Sequence, residues 1–160
     1  HQPAGLSGHA EDVADPVRSG PQAGYSLTAG TYPMTELTAG VNWTAIIAGT
    51  IAAFALGMLW FSPRMFGKGW AAGSHGIVPP ASPPMGALAL QLAGTFLMAW
   101  IIGITAVANH LLTAVLVILA IAALQFAGGL LSQKTTRAAL IDGSYVLAMG
   151  VLMIIAQGVF

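Results

Sequence analysis

Between Gly69 and Gln133 the chain contains no Asp, Glu, Lys or Arg. Soluble chains carry about 25% charged residues, and here the whole sequence has 6%. So long an uncharged stretch cannot form the surface of a water-soluble domain, so it is read as lying in lipid. Backbone N–H and C=O groups in a bilayer core must be paired within the chain, which leaves helices or closed barrels. The alternating pattern of a membrane barrel is absent, and helices are expected. The borders of the run say more. Lys68 and Lys134 bracket it, and Lys and Arg mark one side of the membrane. The run must therefore cross and return, with Asn109-His110 as its turn.

Four apolar segments follow from this, over residues 41–61, 85–108, 111–131 and 138–160. Each is long enough to cross a core of ~30 Å at 1.5 Å per residue. The fold class is all-α, a four-helix integral membrane bundle preceded by an extended, irregular tail. Residues 1–40 form that tail. They are rich in Gly, Pro, Ser and Thr, and no apolar period runs through them. Such a segment buries too little to offset chain entropy and becomes ordered only against a partner. Arg64 and Lys68 lie between the first two spans, and Lys134 and Arg137 between the last two. Both loops are therefore expected in the cytoplasm, with both termini and the Asn109-His110 turn on the periplasmic side of the inner (plasma) membrane.

The stretch Trp60-Phe61-Ser62-Pro63-Arg64-Met65-Phe66-Gly67-Lys68-Gly69-Trp70 is the most distinctive. Pro63 disfavours helix at Ser62 and ends the first span. Trp60, Arg64, Lys68 and Trp70 read as an interfacial anchor, with rings at the headgroup level and cations reaching phosphates. Asn42-Trp43 opening the first span, this Trp-Phe-Ser-Pro…Phe-Gly-Lys-Gly-Trp run, and Leu140-Ile141-Asp142-Gly143-Ser144-Tyr145 opening the last together resemble the DUF1761 family. Its members are small bacterial four-helix membrane proteins of unknown function. The resemblance covers about residues 34–160. It implies the fold and carries over no catalytic residue.

Asp142 is the one acid expected at membrane depth, and an ionisable group there marks a functional candidate. Its shallow position favours an interfacial ion pair holding the fourth helix against the Arg64–Lys68 segment. Gln91 and Gln125 fall in the same half of adjacent spans, where amides commonly bond across helices. Small residues form ridges at Gly49, Ala53 and Gly57 on the first span and at Ala99 and Gly103 on the second. Such ridges pack within a bundle or against another subunit. His110 is a candidate single ligand for a haem iron or a chlorophyll magnesium, because neutral imidazole ligates metals well. His1 and His9 form a candidate copper chelate with the terminal amine.

There are no cysteines, which excludes disulfides and thiolate metal sites. No phosphate loop, metalloprotease motif or hydrolase elbow occurs. No metal site and no cofactor is predicted, although a bound lipid or pigment is compatible with the chain. A net charge of 0 argues against nucleic acid. The expected role is therefore not enzymatic. It is a non-catalytic accessory subunit of a larger bacterial membrane complex, photosynthetic or respiratory, with lipids and other membrane subunits as partners. The alternative is a small transporter or ligand-binding membrane protein centred on Asp142 and Gln91.

Overall fold

The computed structural model describes residues 33–160, apart from 79, 81 and 83. Six helices occur among them: α1 (Pro33–Thr38), α2 (Trp43–Trp60), α3 (Gly67–Gly73), α4 (Met85–Val107), α5 (Leu111–Leu131) and α6 (Thr136–Val159). Four of these, α2, α4, α5 and α6, are long and apolar enough to cross a membrane. Their bounds all lie within two residues of the expected spans.

Local chemistry sets the boundaries. Asn42 caps α2, its side-chain oxygen accepting from the Ala45 N–H at 3.1 Å. Thr135 caps α6 through the Ala138 N–H at 3.3 Å. α4 and α5 both end in a paired motif in which a left-handed residue closes the last turn. After α4, Asn109 (φ +56°) donates to Ala106 O at 3.0 Å and His110 N to Thr105 O at 2.8 Å. After α5, Gln133 (φ +59°) donates to Leu130 O at 2.9 Å and Lys134 N to Gly129 O at 3.0 Å. Asn tolerates that backbone through its short polar side chain, whereas Gln has no such advantage. Gln133→Gly is accordingly expected to raise stability by about 0.5–1 kcal/mol. Equilibrium unfolding in mixed detergent micelles checks this, and an unchanged or lowered midpoint would contradict it.

The bundle is organised around α6. It packs along both α2 and α5, which do not pack extensively on each other. Its buried face runs from Ala138 through Asp142, Tyr145, Met149 and Met153 to Ala156. Glycines set the closeness of these contacts. A Cβ on Gly49 would lie 3.4 Å from Ala156 Cβ, and one on Gly103 would lie 2.8 Å from Ile46 Cδ1. A Cβ on Gly129 would lie 2.8 Å from Ala139 Cβ. The ridges of Gly49, Ala53 and Gly57 and of Ala99 and Gly103 thus face partners inside the chain. Outward-facing residues such as Leu112, Leu116, Leu124 and Val151 are apolar and exposed.

α4 differs from its neighbours. Its buried residues are Thr95, Met98, Ala99, Ile102 and Gly103, and none of residues 85–94 is buried. The helix therefore holds the bundle by its second half and stands away from it in its first.

α1 was not expected, because residues 33–38 show no helical period and fell in the tail. Among the described residues, 33–40 already belong to the compact helical unit. The Trp100 indole N–H donates to Leu37 O at 2.8 Å, and the Trp43 and Trp100 rings lie 5.4 Å apart. Gly40, in the left-handed region (φ +71°), turns the chain between this contact and α2. The stretch around Leu37 therefore seats on α4 through the Trp100 indole. The His1 and His9 candidates lie outside the described residues.

Candidate functional site

Helices α2, α3, α5 and α6 meet around Asp142 at the end that carries Arg64, Lys68, Lys134 and Arg137. Placement begins with the start of α6. The Thr135 N–H donates to Gly73 O at 2.8 Å, which lays α3 across the first turn of α6. Gly73 is needed there, since a Cβ would overlap Thr135 Oγ1 and lie 2.7 Å from Ala138 Cβ. This crossing puts Trp70 over Asp142.

The Trp70 indole N–H donates to Asp142 Oδ1 at 2.7 Å. Lys134 Nζ donates to Oδ2 at 2.7 Å, and the same ammonium lies 5.1 Å from the Trp70 ring centroid. The Asp142 side chain is 7% exposed and that of Lys134 23%. Both carboxylate oxygens thus have charge-assisted or indole donors, as a buried charge requires. The partner differs from the expected one. Lys134, supplied by the turn before α6, pairs with Asp142, whereas Arg64 and Lys68 are exposed. The reason is local: the α5 terminal motif brings Lys134 within reach eight residues before Asp142, while the Arg64–Lys68 segment leaves both of its cations exposed.

Trp60 and Trp70, read from sequence as interfacial anchors, spend their indole N–H groups on α6. Trp60 donates to Ile141 O at 3.2 Å. Its ring lies 4.7 Å from Phe66 and 6.4 Å from Tyr145. Phe61 stacks edge-on with both Trp70 and Tyr145, each at 5.4 Å. The Tyr145 hydroxyl donates to Ala53 O at 3.1 Å. Gly57 makes room for it, since a Cβ there would lie 2.6 Å from the hydroxyl oxygen. Tyr145 was legible only as part of the resemblance to DUF1761. A signal was present, however, because it follows Asp142 by three residues, and positions three apart share a helix face.

Beside this cluster a cavity of about 690 Å³ opens between α2, α4, α5 and α6. Its polar lining consists of Gln91, Thr95, Gln125, Asp142 and Tyr145, and Met58, Met98, Met149 and Phe54 are among its apolar walls. Gln91, Gln125 and Asp142 each lie six residues from the basic end of their helix, hence ~9 Å along it at 1.5 Å per residue. Gln91 and Gln125 were expected to bond to each other. Both line the one cavity, but no hydrogen bond joins them. The Gln91 amide faces the Tyr145 hydroxyl, and the Thr95 hydroxyl is spent on Gln91 O at 2.7 Å. No hydrogen-bond partner is found for the Gln125 amide among the described residues. The cavity exists because the first half of α4 stands off.

His110 sits exposed in the α4–α5 turn, away from this cavity. No group of three or more His, Asp or Glu that could hold a metal occurs among the described residues.

No curated protein and no solved structure matches the chain. A family model does, and it takes in all but the first residue of α2 and the last of α6, hence every residue of the Asp142 cluster and of the cavity. That model, described as a protein of unknown function (DUF1761), matches residues 44–158, and the chain belongs to this family.

Proposed function

We propose that this chain is a binding protein for an amphipathic small molecule, held in the cavity between α2, α4, α5 and α6 and admitted from the bilayer past the first half of α4. One observation carries this reading. Gln125 places an amide without a protein partner on the wall of a membrane-depth cavity. An unpaired amide costs several kcal/mol in hydrocarbon, so a polar group from outside the chain stabilises it. The cavity volume falls in the range of small-molecule sites, about 300–1,000 Å³. Three methionines in its wall give a flexible surface that adapts to ligand shape.

The positive-inside rule, applied to Arg64, Lys68, Lys134 and Arg137, sets the cavity in the cytoplasmic half of the inner membrane of a bacterium. The competing reading is an accessory subunit of a larger membrane complex. The small-residue ridges that suggested it from the sequence are occupied by contacts within the chain.

The test is saturable binding of a fluorescent (NBD-labelled) monoacylglycerol to the protein in nanodiscs. Gly94 lines the cavity, and a Cβ there meets nothing within 4 Å. Gly94→Leu should therefore fill the cavity without straining the fold. It is expected to weaken binding at least tenfold while the circular dichroism spectrum and unfolding midpoint hold. Non-saturable partitioning, identical for both proteins, would sink the proposal. So would recovery of the chain from native membranes only within a stoichiometric complex whose subunit fills the cavity.

A further inference from the structure

We infer that the bound molecule carries an uncharged, hydrogen-bonding head, seated at the level of Gln91 and Gln125, with its apolar chain directed toward Met98 and Met149. This rests on the binding-protein reading above and specifies its ligand.

Charge comes first. Among the described residues, Asp142 is the only charged one lining the cavity, and both its oxygens are occupied, by Trp70 N–H and Lys134 Nζ, each at 2.7 Å. The pair is neutral as a unit. A cationic head would have to draw the carboxylate away from Lys134. An anionic head would meet no free cation among the described residues, since Arg64, Lys68 and Arg137 are exposed outside the cavity. Either would bury a charge without a counter-charge, which is costly in a low dielectric. Amides, in contrast, both donate and accept. Gln125 offers both functions to an alcohol, ester or ketone, and Gln91 stands across from it on α4.

Polarity along the cavity fixes the orientation. The amides lie ~9 Å from the basic helix ends, and Met98 and Met149, each thirteen residues into its helix, lie at ~20 Å. The wall at that depth is apolar, and between lie Ile121 and Val146 together with Thr95 and Tyr145, whose hydroxyls are spent on Gln91 O and Ala53 O. A head bound at the amides therefore has its chain running toward the middle of the bilayer, parallel to the lipid chains from which it came.

The experiment compares three NBD-labelled probes of one chain length in nanodiscs: a monoacylglycerol, a fatty acid and an acylcholine. The neutral probe is expected to bind at least tenfold more tightly than either charged one. Gln125→Leu, which removes the amide from an exposed position, is expected to weaken the neutral probe about tenfold and leave the charged probes unchanged. Equal or tighter binding of a charged probe overturns the inference but keeps the binding-protein reading. An unchanged neutral affinity in Gln125→Leu overturns the assignment of the head to that amide. Absence of saturable binding by all three overturns the binding-protein reading itself.

Discussion

Asp142→Leu is expected to destabilise the bundle by about 3 kcal/mol, the lower part of the range for breaking a buried ion pair. The lower part applies because the Lys134 side chain is 23% exposed and its ammonium can turn toward water. The Trp70 N–H has no such escape, being held over α6 by the α3 crossing. Leaving a buried donor without an acceptor contributes about 1–3 kcal/mol of that loss. Asp142→Asn keeps an acceptor for Trp70 and should lose roughly half as much. The double change Asp142→Leu with Lys134→Met should recover most of the stability, because replacing both partners of a buried pair by apolar groups is often neutral. Unfolding in detergent titrated with sodium dodecyl sulfate, followed by circular dichroism, measures all three. If Asp142→Leu shifts the free energy by less than about 1 kcal/mol, the ion pair is not what holds α3 and α6 together.

Gly67→Ala is the second large effect, at about 3 kcal/mol, the upper end for forcing an extra methyl into a packed site. Its Cβ would overlap Phe61 O and lie 2.7 Å from Ser62 O and 2.8 Å from Phe61 C. All three are backbone atoms of the turn that the Gly67 N–H itself closes onto Ser62 O at 3.0 Å. No side chain can rotate out of the way, so α3 must move and take Trp70 off Asp142. A shift in tryptophan emission should accompany the loss of stability, which separates this mechanism from general loosening. Gly86→Ala is the matched control. It sits near the start of α4 with nothing within 4 Å of its Cβ, and should be neutral or stabilising by up to about 1 kcal/mol. A Gly67→Ala protein as stable as this control would refute the steric argument.

The sequence disclosed the spans well because hydrophobic length is a local property, and Lys68 and Lys134 showed that the uncharged run must return. It disclosed the direction of side chains poorly. Trp60 and Trp70 have the composition of an interfacial belt, and only tertiary packing turns their N–H groups to α6, through α2 for Trp60 and through the α3 crossing at Gly73 and Thr135 for Trp70. The Asp142 partner was misjudged because four cations are candidates by level. The choice of Lys134 depends on the left-handed residue Gln133, which the pattern of side chains does not announce. Gln91 and Gln125 were legible as a matched pair, yet whether amides at one depth bond or frame a space depends on how far α4 stands away. α1 was missed since six residues carry too little periodicity.

The central place of α6 also bears on how the molecule is made. Chains enter the membrane in order of synthesis, and α6 follows the other three spans. Before it arrives α2 and α5 lack the surface on which both pack, and Gly49, Gly57 and Gly129 face nothing that fits them. The first three spans should thus emerge as a loose, protease-sensitive set that insertion factors must shelter. Locking would come in one late step, when Thr135 docks on Gly73 and Asp142 finds Lys134 and Trp70.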